Sequence, residues 1–212
     1  MERLILFARS PKLHEVKTRL LPRLTAEQAL SLHEAMLRDQ IDFLAALSGA
    51  SRTSEVCLDD RQGAGDLGER MHRALGRAFD EGAERAAIVG SDAPTLPRFL
   101  IEEAFARLGA GADAVIVLAE DGGYVLVGGS HSVPELFRDV PWGTREVANT
   151  TRRLAREAGL VLAETAPWFD VDVEGDLARL ARELAEDSSR APATASVLRR
   201  LGLYARWPQA CW

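Results

Sequence analysis

The sequence predicts an α/β fold, namely a three-layer α/β/α sandwich around a mostly parallel, mixed sheet. Short apolar runs such as residues 114–119 alternate with longer segments whose apolar residues recur at helical spacing. Strands that alternate with helices form parallel sheets covered on both faces. Residues 121–127 break this rhythm, because only Asp121-Gly122-Gly123 separates two apolar runs there, and we expect an antiparallel pair at this point.

The first strand is predicted at residues 4–8, and a polar, basic loop follows it to residue 23. The first helix begins at a capping box formed by Thr25 and Gln28, and Gly49 ends it. Another capped helix runs from Asp66 to about residue 79. The remaining strands are expected at residues 55–59, 86–90, 114–119, 124–127 and 160–163, and the remaining helices at 98–108, 145–158, 175–184 and 197–201.

Composition limits the class of protein. The 212 residues fit one domain spanning residues 1–212, with residues 188–212 as a C-terminal extension. A net charge of −6 argues against binding to the backbone of a nucleic acid. The two cysteines, Cys57 and Cys211, form no Cys/His cluster, so a structural zinc site is not expected. No apolar run has the length of a signal peptide or a membrane span, so we expect a cytoplasmic protein.

Asp92 is the first candidate site residue. It follows the apolar strand at residues 86–90 and lies in a turn with two prolines, which can fix its carboxylate beyond the strand end. Such a carboxylate suits Mg²⁺ or Mn²⁺, which prefer oxygen ligands. Taken alone, Asp92 is more often a cap of the following helix or turn, so both interpretations stay open.

A cationic loop and a second acidic pair show the same placement after apolar runs. Asp170 and Asp172 end another apolar stretch, where the alternative role for Asp172 is a helix N-cap. In the loop after the first strand, residues 12–23 contain four cations and Thr18, which either neutralise a polyphosphate or form a solvated surface. The four cations are Lys12, Lys17, Arg19 and Arg23.

Other motifs are weaker or missing. Asp121-Gly122-Gly123 lets a ligand approach the backbone closely, or it forms a tight turn. Residues 63–68 match G-x-G-x-x-G, but no strand immediately precedes them. The nearest acid at a strand end, Asp92, lies too far on, so a nicotinamide or flavin site is not expected. The sequence has no P-loop, no G-x-S-x-G elbow and no HExxH motif. His33 lies on the first predicted helix, where we expect a surface or core role.

Six blocks of sequence follow one another along the chain: residues 7–11 with 16–20 (FARSP and VKTRL), 65–71 (GDLGERM), 90–94 (GSDAP), 119–124 (AEDGGY), 141–144 (PWGT) and 170–172 (DVD). In this order they resemble a bacterial glycosyltransferase-like family, the radical-SAM/selenodomain-associated transferases, over nearly the whole chain to about Leu180. The resemblance implies the GT-A fold of nucleotide-diphospho-sugar transferases. It also implies kinship with molybdenum-cofactor and 2-phospholactate guanylyltransferases.

The same resemblance implies roles for individual residues. A basic N-terminal loop that cradles phosphates corresponds to Lys17 and Arg19, and an Asp that holds Mg²⁺ or Mn²⁺ corresponds to Asp92, with Asp172 completing the metal site. Asp92 and Lys17 are then catalytic, and Asp121 would orient or deprotonate an acceptor hydroxyl. The other residues expected to bind nucleotide or phosphate are Ala8, Arg9, Thr18, Gly68, Arg70 and Ser91, and those on the acceptor side are Gly122, Gly123, Trp142 and Thr144.

The chain departs from the family pattern at two places. His14, with Glu15 beside it, stands where the family usually has a glycine in the N-terminal loop. The family's Asp-Thr-Pro-Glu-Asp also appears here as Asp172-Val173-Glu174-Gly175-Asp176. The first change can alter how the loop approaches phosphates, and the second can alter where the following helix begins.

The expected function is therefore metal-dependent transfer of a sugar from a nucleoside diphosphate sugar to a small-molecule acceptor. One alternative is nucleotidyl transfer, in which a phosphorylated acceptor attacks the α-phosphate of a nucleoside triphosphate. Another is a nucleotide-binding module without catalysis. The C-terminal aromatic residues Tyr204, Trp207 and Trp212 pack either on their own domain, which we favour, or on a partner subunit in a homodimer.

Overall fold

The computed structural model describes residues 1–206, and six strands form its mixed sheet. The strands are β1 (Glu2–Phe7), β2 (Arg52–Cys57), β3 (Arg85–Gly90), β4 (Ala114–Ala119), β5 (Tyr124–Gly129) and β6 (Leu162–Trp168). Their order in the sheet is β2-β1-β3-β5-β4-β6. β5 runs antiparallel to its neighbours β3 and β4, whereas the other pairs are parallel. The antiparallel strand expected after Asp121-Gly122-Gly123 is confirmed.

Helices connect the strands, which confirms the predicted α/β class. Over residues 1–206 they are α1 (Ala26–Leu47), α2 (Asp59–Gln62), α3 (Leu67–Asp80), α4 (Arg98–Gly109), α5 (Val147–Ala158), α6 (Glu174–Glu186), α7 (Pro192–Arg200) and α8 (Leu203–Arg206). The predicted capping box before α1 and the predicted cap of α3 at Asp66 are both present. Gln28 N–H donates to Thr25 Oγ1 before α1, and Glu69 N–H donates to Asp66 Oδ1 before α3.

The structure corrects two predicted strands. The second strand ends at Cys57, and Asp59 begins the short helix α2 instead of continuing the strand. Two acidic residues lie in the first turn of this helix, where their negative charges interact favourably with the positive end of the helix dipole. β6 extends to Trp168, beyond Pro167, because it lies at the sheet edge, where a missing N–H is tolerated.

The chain divides into two compact units. The first comprises Met1–Ala8, Leu44–Gly90 and Leu96–Phe169 and contains the whole sheet, and the second comprises Arg9–Phe43, Ser91–Thr95 and the described residues from Asp170 onward. In the first unit, one buried cluster joins sheet residues to α3, α5 and the 3₁₀ turn Pro134–Phe137. α4 packs against β3, β4 and β6.

The second unit contains most of α1 and the helices α6, α7 and α8. Asp39, a buried residue of α1, accepts hydrogen bonds from the backbone N–H groups of Ala193 and Thr194 at 2.9 and 2.7 Å. These N–H groups lie in the first turn of α7, so a carboxylate from another helix caps it. The Tyr204 hydroxyl donates to the carbonyl of Ala195 within this unit, whereas Trp207 and Trp212 lie outside the described residues.

Within residues 1–206, no helix combines the length and apolar character that crossing a bilayer requires.

Candidate functional site

The turn that carries Asp92 belongs to the second unit and follows β3 directly in the chain. Three hydrogen bonds fix its backbone. Val171 N–H donates to the carbonyl of Asp92 at 2.8 Å, Gln40 Nε2 donates to the carbonyl of Ala93, and Arg190 Nη2 donates to the carbonyl of Thr95 at 2.8 Å. The position of Asp92 is therefore set by three separate segments of the chain.

The Asp92 side chain does not cap the next helix. The N-cap of α4 is Pro97, which has no side-chain acceptor. The carboxylate instead contacts the Lys17 ammonium at 2.7 Å and accepts a hydrogen bond from the hydroxyl of Ser91 at 3.3 Å. The commoner alternative for Asp92, a helix cap, is wrong for α4.

The Lys17 side chain is only 4% exposed, although it carries a full charge. Its Nζ donates to the carbonyl of Val171 at 2.6 Å and lies 2.7 Å from Asp92 Oδ1 and 3.7 Å from Asp172 Oδ1. The Lys17 backbone is left-handed, with φ of 49°. A single ammonium thus joins the two carboxylates that the sequence proposes as metal ligands.

The site pairs each acid with a cation. Arg19 Nη1 lies 3.3 Å from Asp172 Oδ2. Burial by itself raises the pKa of Asp92, but the charge and hydrogen bond of Lys17 outweigh it and hold the pKa of this carboxyl below its ordinary value. Two carboxylates paired with two cations leave this cluster, hereafter the Lys17 cluster (Lys17, Arg19, Asp92 and Asp172), close to neutral.

Asp172 precedes α6, and its carboxylate contacts Lys17 and Arg19. The helix begins at Glu174, with Val173 as its N-cap. Asp176 Oδ2 accepts from the backbone N–H groups of Asp172 and Val173 at 3.0 and 2.8 Å. The N-cap of α6 is Val173, so the alternative in which Asp172 is the N-cap of this helix is wrong.

His33 is buried within the second unit and is not a surface residue. Its Nε2 lies 3.1 Å from the carbonyl of Arg9, which can only accept, so Nε2 carries the proton. Burial lowers the pKa of His33 below its ordinary value, and the imidazole is neutral at pH 7. His33 anchors the start of the basic loop, and its place on an amphipathic helix is the only sign of this role in the sequence.

The backbone conformation at His14 explains why the family pattern has a glycine at this position. Its φ is 64°, in the left-handed region that glycine adopts without steric cost. Replacing His14 by Gly is expected to stabilise the protein by about 0.5–1 kcal/mol, because a side chain at positive φ is strained by more than the entropy that glycine loses. Chemical denaturation measures this free energy of unfolding.

Glu15→Gly is the matched control in the same loop, since Glu15 is exposed and has no positive φ. It is expected to lower the free energy of unfolding by a similar amount. If both substitutions changed the free energy of unfolding in the same direction, the backbone strain at His14 would be absent.

The turn at Asp121 belongs to the first unit, and its described contacts are those of a tight turn. Asp121 Oδ1 accepts from the Gly123 N–H at 2.9 Å. Gly122 has φ of 98°, and a Cβ there would lie 2.4 Å from the carbonyl oxygen of Arg145. Gly122 is thus required by close packing, and the acceptor-side roles of Asp121, Gly122 and Gly123 remain predictions.

Gly68 and Trp142 pack against each other in the first unit. A Cβ at Gly68 would lie 2.6 Å from the carbonyl oxygen of Phe137 and 2.7 Å from the Trp142 ring. The Trp142 ring also meets Tyr124 edge-on, with centroids 6.2 Å apart. Thr144 Oγ1 donates to the carbonyl of Pro141 at 2.8 Å, in the loop before α5. These contacts are structural, and the binding roles of Gly68, Trp142 and Thr144 stay predictions.

The remaining predicted phosphate ligands divide between the units. In the first, the Ala8 carbonyl accepts from Gln62 Nε2 at 2.8 Å, and Arg70 Nη1 donates to Gln62 Oε1 at 2.8 Å, so one glutamine links the end of β1 to α3. In the second, Arg9 and Thr18 are exposed and Ser91 bonds Asp92. Of the predicted site residues, the structure brings together Lys17, Arg19, Ser91, Asp92 and Asp172.

The Lys17 cluster fits a magnesium or manganese ion that arrives with a phosphate ligand. Within residues 1–206, no group of three or more His, Cys, Asp or Glu side chains is placed to hold a metal ion. Mg²⁺ does not need such a cage, because it binds through one or two carboxylates together with water and substrate phosphates. Asp92 and Asp172 already share one cation, the ammonium of Lys17, and offer the hard oxygen atoms that this chemistry requires.

The mixed sheet with its connecting helices has the nucleotide-diphospho-sugar transferase fold, as a similar solved structure shows. The structure is similar to that of a provisionally assigned nucleotide-diphospho-sugar transferase from Desulfovibrio desulfuricans G20, with a TM-score of 0.82, 29% sequence identity and 97% of each chain covered. The chain belongs to the family of uncharacterized proteins conserved in bacteria, DUF2064, whose model matches residues 24–144, more than half of its length. The narrower subfamily that the sequence resembles remains a prediction.

More distant structures are also similar. One is the molybdopterin-guanine dinucleotide biosynthesis protein A of Archaeoglobus fulgidus, with a TM-score of 0.46, 18% identity and coverage of 88% of this chain and 100% of that one. Another is a cytidylyltransferase from Leptospira borgpetersenii, with a TM-score of 0.46, 10% identity and coverage of 100% and 98%. Similarity at this level is too loose to bear on the function of this chain. No curated protein matches the sequence.

Proposed function

We propose that this protein is a transferase that uses a nucleotide-activated donor, and that the donor is a nucleoside diphosphate sugar bound with Mg²⁺ or Mn²⁺ at the Lys17 cluster. The observation that carries the proposal is the buried ammonium of Lys17 between Asp92 and Asp172. The similarity to the Desulfovibrio desulfuricans protein supports the donor class, since that protein is provisionally assigned as a nucleotide-diphospho-sugar transferase.

Charge balance supports a divalent metal. A diphosphate that approached the neutral Lys17 cluster alone would place its negative charges beside two carboxylates without compensation. A divalent cation bound to Asp92 and Asp172 supplies the missing positive charge and, when bound, neutralises the charge that builds on the leaving diphosphate. Nucleotide binding is therefore expected to depend on the metal.

The residues of the cluster then have separate tasks. Asp92 and Asp172 would hold the metal, because both are ionised oxygen ligands on backbone segments that bond each other. Lys17 and Arg19 would bind the phosphate oxygens by charge-assisted hydrogen bonds. The hydrogen bonds from Gln40 and Arg190 hold the turn that contains Asp92 and would thereby orient its carboxylate.

Nucleotidyl transfer is the alternative reaction at the same site. A basic loop favours a triphosphate if its cations are free to bind phosphate. Here Arg19 is paired with Asp172, and Arg23 Nε lies 2.6 Å from Glu174 Oε1. The cations already have acidic partners, so their number does not favour a triphosphate over a diphosphate.

A ligand panel tests the proposal. Nucleoside diphosphate sugars and nucleoside triphosphates are screened by thermal shift, each with EDTA, Mg²⁺ or Mn²⁺. We expect a nucleoside diphosphate sugar to raise the melting temperature only when the metal is present, and chromatography to detect a nucleoside diphosphate after a small-molecule acceptor is added.

The products separate the alternatives. If pyrophosphate were released from a nucleoside triphosphate in the presence of a phosphorylated acceptor, the proposed reaction would be nucleotidyl transfer instead of sugar transfer. If nucleotides bound in a metal-dependent manner but no product formed after acceptors were added, a nucleotide-binding module without catalysis would be favoured. If nucleotides bound equally well in EDTA, the proposed metal site would be rejected.

A further inference from the structure

We propose that Lys17 is a resident cation of the site, which a divalent metal must displace in order to bind Asp92 and Asp172 together. The consequence is that the metal binds weakly alone and tightly together with the diphosphate. This inference rests on the proposed function, which supplies the metal and the diphosphate.

The contacts of the ammonium support the exchange. Lys17 Nζ faces the Val171 carbonyl oxygen at 2.6 Å, Asp92 Oδ1 at 2.7 Å and Asp172 Oδ1 at 3.7 Å. All three are oxygen atoms of the type that Mg²⁺ and Mn²⁺ select. Two cations cannot occupy the same group of oxygens, because their repulsion at such short range and low solvent exposure is strong. The metal and the ammonium therefore compete for the carboxylates.

The local backbone allows the ammonium to leave without unfolding the loop. Lys17 precedes the 3₁₀ turn Thr18–Leu20, and the Leu20 N–H donates to the Lys17 carbonyl at 2.9 Å. The long lysine side chain can move its Nζ by rotating its own bonds while this turn stays in place.

A displaced ammonium needs a new acidic partner, since burying it alone is costly. The phosphates of the donor provide that partner. Metal and diphosphate therefore each remove an obstacle to the binding of the other, which is a positive and reciprocal coupling between the two ligands. Arg19 plays a smaller part, because its side chain is 61% exposed and contacts Asp172 alone of the two proposed metal ligands.

The test measures Mn²⁺ binding without nucleotide, by electron paramagnetic resonance of the free ion. Lys17→Met and Lys17→Gln both remove the competing charge, and Gln keeps a donor for the Val171 carbonyl. We expect both variants to bind Mn²⁺ at least about tenfold more tightly than the unmodified protein. Lys17→Met should also melt at a lower temperature in EDTA and regain most of this loss in Mn²⁺, because the metal replaces the lost charge.

Lys12→Met is the matched control. Lys12 lies in the same loop but is exposed, and its Nζ lies 3.7 Å from Glu15. Its removal changes the net charge equally, so any general electrostatic gain appears there too, and we expect a change in Mn²⁺ affinity of less than about twofold.

The outcomes separate this inference from the proposed function. If the Lys17 variants bind Mn²⁺ no better than Lys12→Met does, the exchange is rejected, whether or not nucleotide binding by the unmodified protein requires metal. If nucleotide binding by the unmodified protein does not require metal, the proposed function fails, and this inference fails with it.

Discussion

Replacing Asp92 by Asn is expected to abolish metal-dependent nucleotide binding and to lower turnover at least about 100-fold. The substitution keeps the shape of the side chain and the bond from Ser91 but removes the charge that meets Lys17 at 2.7 Å. A neutral amide is a poor ligand for Mg²⁺, and the remaining carboxylate of Asp172 stays paired with Lys17 and Arg19. Titration of Mn²⁺ and nucleotide, together with product formation, measures both effects.

Glu174→Gln is the matched control for Asp92→Asn. Glu174 lies in the same unit and also forms an ion pair, with Arg23. Both side chains of this pair are exposed. Its loss is expected to leave metal-dependent binding within about twofold of the unmodified protein. Unchanged nucleotide binding by Asp92→Asn, with the same dependence on metal, would remove the Lys17 cluster as the site.

Replacing Arg52 by Met is expected to lower the free energy of unfolding by about 3 kcal/mol. The Arg52 guanidinium, whose side chain is 9% exposed, donates to Glu2 at 2.9 Å and to both carboxylate oxygens of Glu102 at 3.0 Å. It also lies over the Phe105 ring at 4.6 Å. Removal leaves the partly buried carboxylate of Glu2 with Arg85 at 3.4 Å, a weaker contact. Chemical denaturation at pH 7 measures the loss.

The difference in the free energy of unfolding between the unmodified protein and Arg52→Met is expected to depend on pH in a defined direction. The hydrogen bond from Arg52 is the main cause that lowers the pKa of Glu102 below its ordinary value. The stabilisation is therefore complete above the ordinary glutamate pKa and is lost as the pH falls through the lowered one. The gap between the two proteins should narrow in acid.

Arg98→Met is the control, because Arg98 also contacts Glu102, at 3.4 Å, but is 65% exposed. Its removal is expected to cost less than about 1 kcal/mol. Equal losses in the two variants would show that burial does not strengthen the Arg52 pairs.

The sequence identified the charged members of the site because each follows an apolar run. Parallel strands deliver the residues after them to one edge of a sheet, so Asp92 and the basic loop could be proposed before any coordinates. The supporting residues had no such signal. Gln40, for example, is a polar position on a long amphipathic helix, and only its contact with the carbonyl of Ala93, 53 residues away, reveals its role.

Whether an acid caps a helix or faces a ligand was not decided by the sequence. Asp172 and Asp176 both lie at the start of α6, and either could satisfy its N–H groups. In the structure Asp176 accepts from the two backbone N–H groups that precede the helix, and Asp172 contacts Arg19, 153 residues away. The family pattern favoured Asp172 for the site, and only the tertiary structure shows that its carboxylate meets Lys17 and Arg19.

By itself, the sequence determined the α/β class, the antiparallel strand after Asp121, the capping box at Thr25 and the cap at Asp66, because these depend on local periodicity and on residues three or four positions apart. The tertiary structure decided that the Lys17 ammonium is buried between Asp92 and Asp172 and that Arg52 holds two acids. Those pairs join residues far apart in the chain, and their energies depend on burial, which local sequence patterns do not specify.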